Sequence, residues 1–165
     1  MNEMMIPMRP TATGVKPTVA RVRELRECGW IVQRKLNGDR VILDCRGDGM
    51  PVAWNRYGTE YGHKVATTKW QGCGYLLDGE VIGGEFIPFD IVDYDMPLVA
   101  RTSLVNALCD RLGVEWIWEA DDQYIRDGAA NGTRWEGVVA KVATSKYRPL
   151  GKPHQESAEW VKLKW

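Results

Sequence analysis

Apolar positions recur along the chain at two spacings, and the switches between them mark out the elements. Val19, Val22 and Leu25 fall on one face of a 3.6-residue repeat, so 18–28 reads as a short helix with Gly29 as its stop. Residues 30–35 alternate as a strand does. Asn37-Gly38 then predicts a tight turn, with 40–46 as the second strand of a hairpin. A short strand is expected at 51–54. Residues 75–82 and 85–92 are apolar and β-branched about Gly83-Gly84, and read as a further hairpin. Leu104, Val105, Leu108 and Leu112 form the stripe of a helix over 101–112. A strand is expected at 114–118, a polar helix at 119–130, and strands at 135–142 and 159–164. The stretch up to Pro17 reads as loop. Together these predict a mixed α+β domain built on antiparallel strand pairs.

The chain has 165 residues, which fits one domain, 1–165, and leaves no comfortable room for a second. A composition that is 44% hydrophobic and 27% charged excludes the disordered and low-complexity classes. No apolar run approaches the roughly 20 residues that span a bilayer, and the first residues lack a basic, then apolar, leader pattern. Cys28, Cys45, Cys73 and Cys109 stand 17, 28 and 36 residues apart, with no C-x-x-C, which argues against zinc and for a reducing cytoplasm. His63 and His154 have no nucleophile signature nearby, so a hydrolase triad has little support.

Formal net charge is zero, but the charge is not evenly spread. Residues 1–75 carry +5, residues 76–127 carry −9 and residues 128–165 carry +4. Two positive ends around an acidic middle are either ordinary surface clustering or the two halves of a basic cleft for a polyanion.

Lys35 ends a strand and precedes the Asn37-Gly38 turn, with Arg40 just beyond. A lysine there is commonly a solvated turn residue. Its other reading is a nucleophile, which needs cations or a metal nearby to expose the amine lone pair. Candidates for that company are Glu80, Glu136 with Lys141, and the pair Lys162 and Lys164. Residues two apart on a strand share a face, so Lys162 and Lys164 project together. Such a pair serves either as edge-strand gatekeepers or as the cations a triphosphate needs. Glu80 and Glu136 sit beside glycine and apolar residues instead of among other charges.

The motifs K-L-N-G-D-R (35–40), N-R-Y-G (55–58), L-D-G-E-V (77–81), F-D-I-V (89–92), E-G-V-V-A-K (136–141) and W-V-K-L-K (160–164), with K-Y-R-P (146–149), occur in this order. The set resembles the nucleotidyltransferase motifs of ATP-dependent DNA ligases, whose superfamily includes RNA ligases and mRNA capping enzymes. The resemblance runs from about Pro7 to Trp165.

It implies an ATP-grasp-like nucleotidyltransferase (adenylation) domain of antiparallel sheets flanked by helices. Lys35 would become covalently adenylylated. Arg40 and Glu80 would contact the ribose, Arg56 would hold phosphate, and Phe89 would stack on adenine for roughly 1–3 kcal/mol. Gln33 would read the adenine edge. Glu136, with Glu80, would support Mg²⁺ or Mn²⁺. Lys141, Lys162 and Lys164 would neutralise phosphate oxygens.

The implied activity is ATP-dependent sealing of nicked duplex DNA, as used in DNA replication, repair and recombination. The implied setting is a bacterial or phage-infected cytoplasm, for a monomer with no membrane association. Asn37 replaces the aspartate usual in that motif. The family usually continues into an OB-fold, for which this sequence has no room after W-V-K-L-K, so a minimal enzyme, a fragment or a protein partner replacing the OB-fold is expected. The alternatives are an RNA ligase or other nucleotidyltransferase, and a nucleotide- or DNA-binding remnant.

Overall fold

A computed structural model describes residues 6–149 and 155–165. The leader assessment at 1–5 and the histidine at 154 lie outside them. The described residues form two four-stranded sheets with helices on their outer faces. The strands are β1 (Pro10–Ala12), β2 (Trp30–Leu36), β3 (Asp39–Asp44), β4 (Val52–Asn55), β5 (Leu76–Ile82), β6 (Glu85–Ile91), β7 (Trp135–Val142) and β8 (Ser157–Lys164). The helices are α1 (Val19–Glu27), α2 (Leu98–Leu112) and α3 (Asp122–Asp127). The first sheet has the order β1-β8-β7-β2, the second β4-β3-β5-β6. All neighbours are antiparallel except β1 and β8.

Each sheet turns one face to helices and the other toward its partner sheet. Val32, Val138, Ala140 and Leu163 pack under Val22 and Leu25 of α1 and Tyr124 and Ile125 of α3. Val41, Leu43, Leu77 and Phe86 pack under Val105, Leu108 and Cys109 of α2. The inner faces meet in smaller clusters: Leu36, Ile87 and Ile117, and Met8, Tyr147 and Trp160. An alternating strand with apolar residues on one face and charges on the other is what this layering needs.

Four elements differ from expectation. The predicted hairpin over 30–46 does not form: β2 pairs with β7, and β3 pairs with β4 and β5 in the other sheet. The Asn37-Gly38 turn is the crossover between sheets. Asn37 is drawn toward the chain ahead of β7, its N–H donating to Arg134 O and its Nδ2 to Thr133 O. Gly38 lies against β5, where a Cβ would stand 2.6 Å from Val81 O.

The expected strand at 114–118 is irregular. The chain crosses the edge of β2, bonding it through Arg34 N–H to Trp118 O and Ala120 N–H to Val32 O, while Ile117 enters the core. The polar helix at 119–130 is two pieces. Asp121 caps α3 through Tyr124 N–H, and a separate 3₁₀ turn follows at Gly128–Asn131. Pro10–Ala12, expected as loop, is a strand because β8 offers it a free edge.

Candidate active site

The inner faces of the two sheets enclose a cleft. Gln33 and Lys35 reach it from β2; Trp160, Lys162 and Lys164 reach it from β8, the last three by strict alternation. On β7, Val139 and Lys141 face the cleft while Val138 and Ala140 face the helices, so alternation alone would send Glu136 to the helix side. A β-bulge prevents this. Lys35 pairs with Gly137 and Leu36 with Trp135, leaving Glu136 as the extra residue and aimed at the cleft. Gly137 makes the bulge possible: its φ is +137°, and a Cβ there would stand 2.0 Å from Leu163 O.

The second sheet uses the same device. Asp78 pairs with Asp90 and Gly79 with Pro88, so Phe89 is the extra residue on β6 and its ring reaches the cleft. Arg40 comes from β3, Glu80 from β5, and Arg56 from the turn after β4.

The cleft has two adjoining compartments. An apolar slot is walled by Leu36, Phe89, Ile117, Val139 and Trp160, with Gln33 and Lys141 among the walls. A polar cavity is walled by Arg9, Arg56, Glu136, Lys162 and Lys164. Lys35, Arg40 and Glu80 line both.

Ion pairs set the resting arrangement. The Lys35 Nζ donates to Glu136 Oε1, and Lys164 Nζ donates to Glu136 Oε2 at 2.7 Å. Burial alone would raise the Glu136 carboxyl, but the two lysines outweigh it and hold it below the usual range. Arg40 makes a two-point contact with Asp78, 2.5 Å at each oxygen, and donates to Met8 O at 2.9 Å. Tyr147 donates to the same carboxylate at 2.6 Å. Burial would lower the Arg40 guanidinium, yet Asp78 reverses this and its pKa is raised. Beside this pair, Asp90 is neutralised by Arg101, both wholly buried.

Two other groups are shifted by burial. The Glu80 carboxyl is pushed up to about 7 because burial outweighs Arg40, Lys35 and Arg56, and its Oε2 has no partner among the described residues. The Lys141 amine, 2% exposed, is pushed down to about 8 by burial despite Asp90 and Asp78. It lies 4.5 Å from the Phe89 ring centre and 4.2 Å from that of Trp160, and its Nζ has no hydrogen-bond partner among the described residues.

All ten residues singled out in the sequence line this one cleft. Lys141, for which the motif implied a phosphate-binding role, walls the apolar slot and not the polar cavity. Four residues escaped notice: Asp78 and Tyr147, which hold Arg40, Trp160, which walls the slot, and Arg9. Asp78, Tyr147 and Trp160 all sit inside quoted motifs, where their fixed spacing to Glu80, Lys146 and Lys162 was the available signal. No group of three or more His, Cys, Asp or Glu able to hold a metal converges among the described residues. Nor is any described helix long and apolar enough to cross a membrane.

No family model matches the chain, and no curated protein matches it by sequence. Solved structures do match. A mycobacterial DNA ligase D complexed with ATP and MES is 19% identical with a TM-score of 0.67, over 99% of this chain and 61% of that one. The ATP-dependent DNA ligase from bacteriophage T7 in complex with ATP is 13% identical with a TM-score of 0.59, over 99% and 70%. An archaeal ATP-dependent RNA ligase is 18% identical with a TM-score of 0.55, over 91% and 47%. The chain spans about three fifths of the length of the mycobacterial ligase chain. Its fold is that of the adenylation domains of DNA and RNA ligases.

Proposed function

From a fold shared with ATP-dependent polynucleotide ligases, we propose that the cleft binds ATP and that Lys35 is the nucleophile that takes its AMP. The observation that carries this is the position of Lys35. It stands where an apolar slot meets a cation-lined cavity, which is where the α-phosphate falls when a purine fills the one and phosphates the other. In this reading Phe89 stacks on the base, with Gln33 and Lys141 facing its edge. Glu80 and Arg40 flank the ribose. Lys162 and Lys164 meet the phosphates, with Arg56 on the opposite wall.

The first step forms a bond from Lys35 Nζ to the α-phosphorus and breaks the bond from that phosphorus to the bridging oxygen. Pyrophosphate leaves with the electron pair, and the amine loses a proton to solvent. AMP then moves to a 5′-phosphate on a polynucleotide, and a 3′-hydroxyl displaces it to close the strand. Charge builds on phosphate oxygens at every step, so fixed cations are the main contribution this chain makes. Lys35 must leave Glu136 to attack, and the arriving phosphates offer Lys164 an alternative partner.

The residues fit a divalent ion brought in with phosphates, because Mg²⁺ needs only one or two carboxylates and otherwise binds water and phosphate oxygens. Glu80 has a buried oxygen without a partner, and Glu136 is held ionised. These two would hold the ion, and when bound it neutralises phosphate charge.

Incubation with α-labelled ATP and Mg²⁺ tests the reading: an acid-stable protein–AMP band is expected, and its absence would refute it. Nicked duplex DNA is the favoured polynucleotide because W-V-K-L-K and K-Y-R-P resemble DNA ligases. The fold is also shared with an archaeal RNA ligase, at a lower TM-score. Sealing of nicked RNA alone would transfer the proposal to that class.

A further inference from the structure

We propose that Cys45 and Cys73 form a reversible disulfide, with Cys73 as the thiol that reduces a hydroperoxide and Cys45 as the thiol that closes the bond. Neither residue is among the walls of the cleft. Cys45 follows directly on β3 and is 1% exposed in the core beneath α2. Cys73 lies 28 residues on, is partly exposed and packs against that same core. Backbone bonds in both directions hold the two segments together. Cys45 N–H donates to Tyr75 O at 3.0 Å, and Gly74 N–H donates to Cys45 O at 3.1 Å. This pairing leaves the two thiols in side-chain contact, both of them reduced.

The two thiols are not equivalent. Cys73 is pulled below its usual range: the hydrogen bond from the Cys45 thiol is the largest cause, burial opposes it, and the Tyr75 N–H and Arg111 add to it. Cys45 is pushed up, first by its bond to Cys73 and then by burial. The sulfur that solvent reaches is therefore the one with thiolate character, and the sulfur held behind it resolves the oxidised product. The other cysteines are placed differently. Cys28 caps α1 on the other sheet, and Cys109 is buried, its thiol pushed up to about 12 by burial and then by Asp110, with no thiol contributing.

The chemistry closes in two steps. The Cys73 thiolate attacks one oxygen of a hydroperoxide, a sulfur–oxygen bond forms and the oxygen–oxygen bond breaks. The departing oxide takes a proton and leaves as water or an alcohol. The Cys45 sulfur then attacks the sulfenic sulfur of Cys73, a sulfur–sulfur bond forms, and the hydroxyl leaves as water with the Cys45 proton. Two thiols give up two electrons, and the peroxide accepts them. The bond closes a loop over 45–73 that carries β4 and Arg56, so oxidation tethers the segment that supplies one wall residue of the cleft.

The experiment treats the reduced full chain with equimolar hydrogen peroxide and reads intact mass and non-reducing peptide maps for wild type, Cys45→Ser and Cys73→Ser. Wild type should lose the mass of two hydrogens and yield a Cys45–Cys73 cross-linked peptide that dithiothreitol reverses. Cys45→Ser should stop at a Cys73 sulfenic acid, captured by dimedone. Cys73→Ser should consume peroxide about tenfold more slowly. The wild-type map decides the matter even where a variant fails to fold. A cross-link through Cys28 or Cys109 in place of the stated pair, or Cys45 and Cys73 both recovered as thiols, overturns the proposal. Oxidation of Cys28 ahead of Cys73 overturns it as well.

Discussion

Lys164 Nζ lies 2.7 Å from one oxygen of Glu136, whose other oxygen accepts from Lys35. One carboxylate thus holds two lysines from different strands at the junction of the two compartments. Such an arrangement keeps two ammonium groups close without a bound anion. If the proposed function holds, it also couples release of Lys35 to the arrival of phosphates that take Lys164.

Lys35→Ala should abolish acid-stable AMP labelling while leaving thermal unfolding nearly unchanged, because the side chain is partly exposed and faces an open cavity. Persistent labelling would place the nucleophile elsewhere. Glu136→Gln keeps the shape but loses the charge that pairs both lysines, and should slow labelling by about 10–100-fold, read by single-turnover kinetics.

Glu80 has its carboxyl pushed up to about 7, above the usual 4.5. A folded state that holds a proton the unfolded chain has released loses stability as pH rises between those values. Glu80→Gln should therefore match wild type in acid and be more stable at pH 8, by about 1–3 kcal/mol. Denaturant unfolding at pH 4.5 and 8 measures this. Nucleotide affinity should fall in the variant, since the ribose hydroxyls lose a carboxylate acceptor.

Lys141 is shifted the other way, to about 8, from 10.5. Its charge costs folding energy in full below pH 8, and the cost fades as pH rises toward 10.5. Lys141→Met, similar in length and apolar, should raise the melting temperature at pH 7, with the gain shrinking at high pH. The same variant should bind ATP more weakly, because the slot loses its cationic wall. A drop in melting temperature at pH 7 would contradict this account of the buried amine.

Gly137→Ala places a Cβ 2.0 Å from Leu163 O at a φ of +137°, so β7 and β8 must separate or re-register. A loss of stability of about 3 kcal/mol or more is expected. Labelling should fall further than the lost stability explains, since Glu136 depends on the bulge for its direction. Comparison of labelling with folded fraction separates the two effects.

Asp78→Asn removes the wholly buried charge that neutralises the half-buried Arg40 and should cost about 3 kcal/mol. Tyr147→Phe deletes one hydrogen bond to the same carboxylate and should cost about 1 kcal/mol. Thermal or urea unfolding distinguishes them; equal costs would mean that Asp78 acts chiefly through Tyr147.

Local patterns made much of this molecule readable from its residues. The apolar and alternating patterns specified the approximate spans of β5, β6, β7 and β8 and, in β8, which side chains share a face, because strand geometry repeats every two residues wherever no bulge interrupts it. Lys162 and Lys164 came out on one face for that reason. The order of the short motifs was enough to gather ten candidate residues that the structure then brings to one cleft.

Other features depended on partners distant in the chain. Asn37-Gly38 has the local chemistry of a hairpin turn, yet it crosses between sheets, because β7 and the chain ahead of it, about 100 residues on, compete for β2 and Asn37 and win. The strand-like V-E-W-I-W pattern yields to the edge of β2, which offers that segment a rung or two and no ladder. Glu136 and Phe89 reach the cleft through bulges, which shift the period by one residue and exist only in the pairing of two strands. Arg9 lines the cavity because the chain around it is tied to both sheets, Met8 O accepting from Arg40 and Arg9 O from Ser157 N–H. Secondary structure and motif chemistry are short-range properties and are written in consecutive residues. Which strands pair, where their register slips and which charges meet are long-range properties, and only tertiary packing decides them.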